Sequence, residues 1–337
     1  MSRLFTPGRL VAAGVVLVAL AVGLALVTPT DAYIFLPDRA KPVAPLVQVE
    51  GAKPERDGGG IYFVDVLVRR ATLLERYFPR IREGATIVPA DVINPHGESD
   101  RDRRRTNLLE MRRSQQIAAA VALRELGYPV PARLTGVLIA DVFEGAPASG
   151  RLRESDVVVA VDGTAVRRPA DLRRLVSRRR PGSPVVLTVR RDGGVRRVRL
   201  RTARAPDDAR RAIIGVFASQ AAEIRLPLRV RIDAGNVGGP SAGLAFALDV
   251  LEKLGRDVDR GHKVAVTGEI DLDGDVGPIG GIRQKTIGAK RAGVDVFVVP
   301  AGDNAREAER YAGDVRIVPV RSFRQALRAL ATLPAVD

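Results

Sequence analysis

The distribution of apolar and polar positions changes several times along the 337-residue chain, and the first change is the sharpest. Leu10 to Val27 contain no charged or strongly polar side chain. In a helix, at 1.5 Å per residue, this run is roughly 27 Å long, close to the roughly 30 Å of hydrocarbon in a bilayer. The pattern predicts a transmembrane helix over residues 10–28. A cleavable signal peptide is the alternative, but its apolar run is usually shorter.

The charges on the two sides of this run predict its orientation. Arg3, Arg9 and the amino terminus precede it, whereas the first charges after it sum to zero: Asp31, Asp38, Arg39 and Lys41. Because positively charged flanks stay in the cytoplasm, residues 1–9 are expected to form a cytoplasmic tail. The prediction is a single-pass protein of the cell membrane whose remaining residues are extracytoplasmic.

The next part of the chain has little regular pattern. Residues 29–60 are rich in Pro and Gly and are predicted to be a linker. Residues 61–128 are predicted to be an N-terminal extracytoplasmic region, with a strand at 61–68 and helices near 71–77 and 106–126. No chemistry is assigned to this region.

Short β-branched runs separated by turn residues characterise residues 129–204 and predict a mostly-β domain. The runs are Val137 to Val142, Val157 to Val161, Val185 to Val189 and Val195 to Leu200. One helix is predicted at 169–179. The residues GVLIADVFEGAPASGRLRESDVVVAVDGTAV, at 136–166, together with this helix resemble a bacterial PDZ domain.

This resemblance implies that a peptide adds as an extra strand beside the 169–179 helix. Ser155 departs from the pattern, because PDZ domains usually have Gly there. The loop that binds the peptide carboxylate is not recognisable; Leu126-Gly127-Tyr128 is one candidate, and a helix C-cap is the alternative interpretation of those residues.

Composition excludes several kinds of chemistry. The chain has no Cys and two His, so disulfides, thiol catalysis, Fe–S clusters and the usual zinc sites are excluded. Residues 151–211 hold 18 Arg and seven acidic residues, and so carry most of the formal charge of +15. This charge favours acidic peptides or anionic lipids over nucleic acid, since no aromatic residues are interleaved for base stacking. A solvated Arg-rich face without a function is the alternative.

Residues 207–334 are predicted to form an α+β or α/β unit, in which one loop suggests a nucleophile. The loop Asn236 to Gly243 leads into an apolar helix, so that Ser241 lies at a helix N-terminus, where unpaired N–H groups favour an oxyanion. The alternative is a simple N-cap. Gly239 to Gly243 also fit the G-x-S-x-G pattern, but an α/β-hydrolase or trypsin-like triad needs a suitably placed histidine, and neither His96 nor His262 meets that order.

The predicted base is therefore Lys285. At 100° per residue it shares a helix face with Ile282, Ala289 and Ala292, whereas Lys290 points away. Only six of the 54 basic residues are lysine, and arginine cannot lose its proton, so a lysine on an apolar face suggests a need for a neutral amine. The alternative is a lysine that reaches solvent or pairs with an acid such as Glu269.

Two further stretches carry a second resemblance. GNVGGPSAGLAFALDVLEKL at 235–254 and VAVTGEIDLDGDVGPIGGIRQKTIGAKRAGVDVFVVP at 264–300 resemble the proteolytic domain of Lon-type peptidases. The resemblance implies an α+β fold of the ribosomal protein S5 domain 2-like type, with Ser241 as nucleophile, Lys285 as general base and Thr267 holding the lysine amine. Gly239, Pro240 and Ala242 are the expected substrate- and oxyanion-binding residues. A homo-oligomer, commonly a hexamer, is implied as well.

The whole order of segments resembles membrane-anchored PDZ-Lon peptidases. No G-x-x-x-x-G-K-[ST] string occurs, and no cofactor or metal is expected. The predicted function is an ATP-independent, membrane-anchored serine endopeptidase that cleaves extracytoplasmic or membrane-associated proteins and selects them with its PDZ domain. The alternative is a catalytically silent PDZ scaffold that binds peptides at the membrane.

Overall fold

The computed structural model describes residues 7–54, 58–90, 100–143, 145–205 and 208–336. Its α-helices are α1 (Pro7–Val27), α2 (Leu73–Tyr77), α3 (Asp100–Glu125), α4 (Pro169–Ser177), α5 (Gly243–Lys253), α6 (Ile282–Ala292), α7 (Asp303–Glu309) and α8 (Phe323–Ala331). Its first strands are β1 (Pro29–Pro37), β2 (Lys41–Pro42), β3 (Val47–Val49), β4 (Gly60–Phe63), β5 (Val66–Thr72), β6 (Thr86–Pro89), β7 (Ala132–Val142), β8 (Val157–Val161), β9 (Thr164–Ala165), β10 (Pro184–Arg191) and β11 (Gly194–Arg201). The later strands are β12 (Ala203–Arg204), β13 (Ala212–Ile213), β14 (Val216–Ile224), β15 (Val230–Ile232), β16 (Lys263–Val266), β17 (Glu269–Ile270), β18 (Val276–Gly277), β19 (Val296–Pro300) and β20 (Arg316–Val320).

The sheet that carries the site is built from both ends of the chain. Its order is β2-β4-β16-β19-β20, and β4, β16, β19 and β20 run parallel. The strand β4 lies beside β16, with Ile61 opposite Val264 and Phe63 opposite Val266. The buried helix α5 covers one face of this sheet, and the inner face of α3 packs against α5. The N-terminal residues therefore complete the fold of the C-terminal domain.

Two predictions for the N-terminal part are consequently wrong. Residues 29–60 are not a linker: they contain β1, β2 and β3, and Val43, Val47 and Val49 are buried in the same core as α5. These strands were not predicted because most are only two or three residues long and lie among prolines. Such short segments do not show the alternation of apolar and polar residues that marks a strand. The single strand predicted at 61–68 is two strands, β4 and β5, which join different sheets.

The PDZ-like domain is inserted between these two halves. Its sheet has the order β11-β10-β8-β7-β14, and Leu172 and Val176 of α4 pack into its core. The last strand, β14, lies beyond residue 204, the predicted end of this domain. Its sequence VFASQAAEI is rich in small residues and poor in β-branched ones, so strand propensity did not reveal it.

Among the described residues, no helix is both long and apolar enough to cross a membrane. Residues 10–27 of the predicted span lie in α1. The prediction of a transmembrane helix is therefore not supported.

Candidate active site

A short turn presents Ser241 at the start of α5. Pro240–Ala242 form a 3₁₀ turn that runs directly into α5, and Gly239 precedes it with φ of 85°. A side chain at this φ would be strained, so glycine is required there. No side-chain cap is formed at either helix start, and the alternative of Ser241 as a simple N-cap is therefore wrong.

The structure brings Ser241, Lys285 and Thr267 together. Lys285 Nζ lies 2.6 Å from Ser241 Oγ and 3.1 Å from Thr267 Oγ1. Thr267 follows β16, is fully buried, and donates its hydroxyl to the Ser241 carbonyl at 3.2 Å. Gly268 N donates to the same carbonyl at 2.8 Å. Thr267 and Gly268, directly after β16, therefore hold the backbone of Ser241, and Thr267 also contacts the Lys285 amine.

Burial makes Lys285 an unusual lysine. Its residue exposure is 4 %, and it lies on the inner face of α6 with Ile282 and Ala289, as the helical pattern predicted. Desolvation lowers the pKa of the Lys285 amine from 10.5 to about 8, because a charged group is poorly stabilised away from water. Lys290, on the same helix, is exposed. A neutral amine is thus accessible near neutral pH at Lys285.

Asp65 is the charged neighbour of Lys285 that the sequence analysis missed. It lies in the bend between β4 and β5, and its Oδ1 accepts a hydrogen bond from Val66 N at 2.7 Å. The negative charge of Asp65 raises the pKa of Lys285 and so opposes part of the desolvation. Burial in turn raises the pKa of Asp65 itself. The sequence signal was an acid within the apolar run IYFVDVLV, the same anomaly that singled out Lys285.

The alternative interpretation, in which Lys285 pairs with Glu269, is not what the structure shows: the charged neighbour that affects Lys285 is Asp65. The pKa of Glu269 is raised, by burial first and then by Asp271, while Arg113 opposes the shift. His262 does not take part in this group either: its Nε2 lies 2.8 Å from the carbonyl oxygen of Pro334. His96 lies outside the described residues. The structure therefore leaves Lys285 as the basic group in contact with Ser241.

The donors for an oxyanion are fewer than predicted. Pro240 has no N–H, and the N–H of Gly239 donates to the Asn107 carbonyl at 2.9 Å. First-turn amides of a helix have no carbonyl one turn earlier, which leaves the amides of Ser241 and Ala242 as the available donors. Gly239 and Pro240 then shape the turn. They direct Ser241 and offer no free N–H to an oxyanion.

One cluster of carboxylates within the described ranges has metal-like spacing. Side-chain oxygens of Glu252, Asp257 and Asp259 lie within 4.8 Å of one another. The Glu252 carboxylate, however, accepts hydrogen bonds from the amides of Val258 and Asp259, the latter at 2.8 Å. This cluster closes the loop after α5 and takes no part in the arrangement around Ser241.

A groove in the PDZ-like domain lies between α4 and β14. It is lined by apolar side chains that include Leu172, Val176, Ile213 and Phe217. The turn Ile213 to Gly215 precedes β14, and no described residue accepts a hydrogen bond from the amides of Ile214 or Gly215. Gly215 has φ of 71°, and a Cβ there would lie 2.2 Å from the Ala146 Cβ. This turn, here called the carboxylate loop, has unbonded amides at the end of the groove, whereas residues 126–128 close the end of α3.

The geometry is that of a serine hydrolase site with a lysine base, beside a PDZ-like domain, and comparison with known proteins agrees. Residues 216–331 match the model of the Lon protease (S16) C-terminal proteolytic domain, and residues 108–202 match that of the PDZ domain. The chain therefore contains a Lon-type proteolytic domain and a PDZ domain, which is consistent with a PDZ-Lon peptidase.

Similar proteins include Lon proteases from several bacteria. The chain is 34 % identical to Lon protease of Chloroflexus aggregans over 37 % of its own length and 16 % of that protein. It is 44 % identical to Lon protease 1 of Bacillus subtilis over 23 % of its length and 10 % of that protein. The chain thus spans at most about one sixth of these relatives. The PDZ domain of the SdrC-like protein of Listeria monocytogenes is 17 % identical, with a TM-score of 0.23, over 25 % of this chain and 86 % of that one.

Proposed function

We propose that this protein is a serine endopeptidase that uses Ser241 as nucleophile and Lys285 as general base. The observation that carries this proposal is the 2.6 Å separation of Lys285 Nζ and Ser241 Oγ, with the lysine buried and its pKa lowered to about 8. An amine with such a pKa is neutral in about one tenth of molecules at pH 7, and only the neutral amine can accept a proton.

The proposed reaction follows from this pair. The Lys285 amine takes the hydroxyl proton as Ser241 Oγ bonds to the substrate carbonyl carbon, and the negative charge moves to the carbonyl oxygen near the Ser241 and Ala242 amides. When the C–N bond breaks, the ammonium of Lys285 gives its proton to the leaving amine. Water then repeats both steps on the acyl-enzyme. Thr267 Oγ1, 3.1 Å from Nζ, orients the amine throughout.

Substitution of the pair tests the proposal. Ser241→Ala, Lys285→Ala and Lys285→Arg should each reduce casein or peptide cleavage at least about a thousandfold, because none retains both the hydroxyl and an amine that can be neutral. Lys290→Ala is the matched control, since this exposed lysine lies on the same helix. A fluorophosphonate probe should label Ser241 in the parent chain. Substantial cleavage by Lys285→Arg would exclude a neutral lysine base, and an absence of both labelling and cleavage would favour the silent scaffold.

We also propose that cleavage requires no nucleotide. The 337 residues contain no G-x-x-x-x-G-K-[ST] string for binding phosphates. Substrates would then be flexible or already unfolded segments. Cleavage rates of unfolded casein should be the same with ATP, with a non-hydrolysable analogue and after nucleotide removal; dependence on ATP would overturn this part.

The apolar helix α1 supports a proposal that the protein is attached to the cell membrane, with the bulk of the chain extracytoplasmic. Its described side chains are mostly exposed, including Val11 at 67 % and Val27 at 72 %. Tyr77 and Phe78, which are also exposed, lie at the end of α2, and α2 contacts α1. Aromatic side chains favour the interface between lipid and water. Retention of the full chain in membranes after alkaline washing is expected, and its release would contradict attachment.

We propose that the PDZ-like groove selects protein substrates and that the chain forms a homo-oligomer, as its resemblance to ring-forming Lon peptidases suggests. The free edge of β14 and the apolar groove support peptide binding by strand addition. Light scattering of detergent-solubilised full chain should give a multiple of 36.2 kDa, with a hexamer as one outcome and a monomer as the contrary one.

A further inference from the structure

Two cavities adjoin along the strand β14. The first is the PDZ-like groove, with a volume of about 390 Å³. The second, of about 360 Å³, lies between α4, α3 and the β17–β18 hairpin and reaches Pro240, the residue before Ser241. Pro169, Arg173, Phe217 and Ala218 line both cavities. The groove and the cleft therefore adjoin at these four residues, and the cleft reaches Pro240 in the turn that carries Ser241.

The direction of β14 decides which part of a peptide would enter that cleft. The carboxylate loop, Ile213 to Gly215, lies at the start of β14, and Phe217 to Gln220 follow along the second cavity. A peptide that pairs antiparallel with β14 places its C-terminus at the loop and its upstream residues opposite 217–220. With one ligand residue opposite each strand residue, about the last five occupy this edge. The residues upstream of them then approach Pro240.

Direct contacts hold the two domains in this arrangement. The guanidinium of Arg168, just before α4, contacts the Asp273 carboxylate through two nitrogens, each at 3.0 Å. The Gln220 side chain, at the end of the shared cleft, accepts a hydrogen bond from Leu272 N at 3.1 Å. Both partners belong to the segment between β17 and β18. The wall of the cleft is therefore fixed to both α4 and β14.

We propose that β14 and the adjoining cleft form one continuous track that leads a substrate from the PDZ-like groove to Ser241, so that the enzyme cleaves at a set distance upstream of a substrate's free C-terminus. The occupant is an unfolded C-terminal tail of a protein, with an apolar last residue for the apolar floor of the groove. The position of the cut rests on the proposed peptidase activity, but the path of the bound peptide can be tested without catalysis.

The first experiment uses peptides of about 20 residues with the full-length protein. The parent peptide has a free apolar C-terminus; a second has a C-terminal amide; a third has Gly-Ser-Gly inserted five residues from its C-terminus, on the C-terminal side of the expected cut. Mass spectrometry should find one main cut upstream of the last five residues. In the third peptide the cut should keep its distance from the C-terminus and move in sequence. The amide should lower kcat/KM at least about tenfold, since an ionic hydrogen bond to the loop amides is lost.

The second experiment needs no cleavage. In full-length Ser241→Ala, a photoreactive benzophenone side chain is placed at successive positions of the same tail peptide. Positions within the last five residues should crosslink to residues near 216–220, and positions immediately upstream should crosslink to residues near Pro240 or Val276. Crosslinks confined to the groove at every position would overturn the track.

The outcomes separate the two claims. Cuts that follow sequence alone, equal for free and amidated tails, would overturn the track while leaving the peptidase proposal intact. The expected crosslinks without any cleavage would support the track and overturn the peptidase proposal. As a variant test, Arg173→Glu should lower kcat/KM for the free tail, because Arg173 lines both cavities. Arg197→Glu, the same charge change on exposed β11, should leave it unchanged.

Discussion

Individual residues in this chain are unusual where the chemistry lies. Lys285 and Asp65 are both ionisable groups among apolar neighbours, and each shifts the pKa of the other. Desolvation outweighs the charge of Asp65, so that the pKa of Lys285 remains below its usual value. A lysine base without any imidazole partner is chemically workable for this reason.

The pH dependence of cleavage follows from the pKa of Lys285. Because the neutral amine is the active form and the pKa is about 8, kcat/KM should rise about tenfold per pH unit below pH 7 and level off above about pH 8. The measurement is kcat/KM for an uncharged peptide between pH 5.5 and 10. A rise that continues towards pH 10.5 would mean that Lys285 behaves as an ordinary exposed lysine.

Asp65→Asn tests the partner of that lysine. Removing the negative charge destabilises the ammonium form, so the acidic limb of the pH profile should move to lower pH and kcat/KM at pH 6.5 should rise about threefold or more. The plateau above pH 9 should hardly change, since asparagine can still accept from Val66 N. Asp303→Asn, at a highly exposed carboxylate on α7, is the control. A uniform loss at every pH would indicate a purely structural role for Asp65.

A comparison of predicted and observed helices and strands shows which elements the sequence pattern can predict. The helix face predicted around Lys285 belongs to α6, and the helix predicted at 106–126 overlaps α3 except at its last residue. Both helices have an apolar face long enough for the helical spacing of apolar residues to be recognised in the sequence. The five-stranded sheet was missed because β4 pairs with β16 across the inserted PDZ-like domain. Pairing over such a separation leaves no local signal.

The contact of Lys285 with Ser241 was predicted, whereas Asp65 was not, since its strand was placed in another domain.

The helix α3 supports the nucleophile turn and was assigned no function from sequence. Ser114 Oγ, which is buried, donates to the Pro240 carbonyl at 2.9 Å, and Asn107 on the same helix accepts from Gly239 N. These two contacts hold both residues that precede Ser241. A helix encoded before the PDZ-like domain thus positions a turn encoded after it.

Ser114→Ala should therefore reduce kcat more than it raises KM. The loss of one buried hydrogen bond costs about 1–2 kcal/mol, and if half or more of that appears in the alignment of Ser241, kcat should fall about threefold to tenfold. Gln116→Ala, an exposed residue on α3, is the control. Thermal unfolding measured alongside separates the two effects. A lower Tm with unchanged kcat at 20 °C would show that the contact stabilises the fold alone.

At the scale of the whole molecule, two domains are joined at the cleft through a small number of polar contacts. The PDZ-like domain leaves the catalytic domain after α3 and returns through β14. Between these connections, the pair Arg168–Asp273 joins α4 to the β17–β18 segment. Half-exposed ion pairs contribute little to stability. We expect this pair instead to fix the position of the PDZ-like groove relative to Ser241.

Arg168→Ala tests that placement. The midpoint of unfolding should fall by no more than about 2 °C, because such a pair contributes roughly 1 kcal/mol or less. Cleavage of the free-tail peptide should instead lose its single position and spread over several neighbouring bonds, since the groove and Ser241 are no longer held at one separation. Asp273→Ala should reproduce the effect, and the double variant should add nothing to it. Arg174→Ala, which breaks an ion pair with Asp171 inside α4, is the matched control and should keep one cut. If Arg168→Ala also gives one unshifted cut, the separation between the domains is set by the chain connections and β14 and not by this pair.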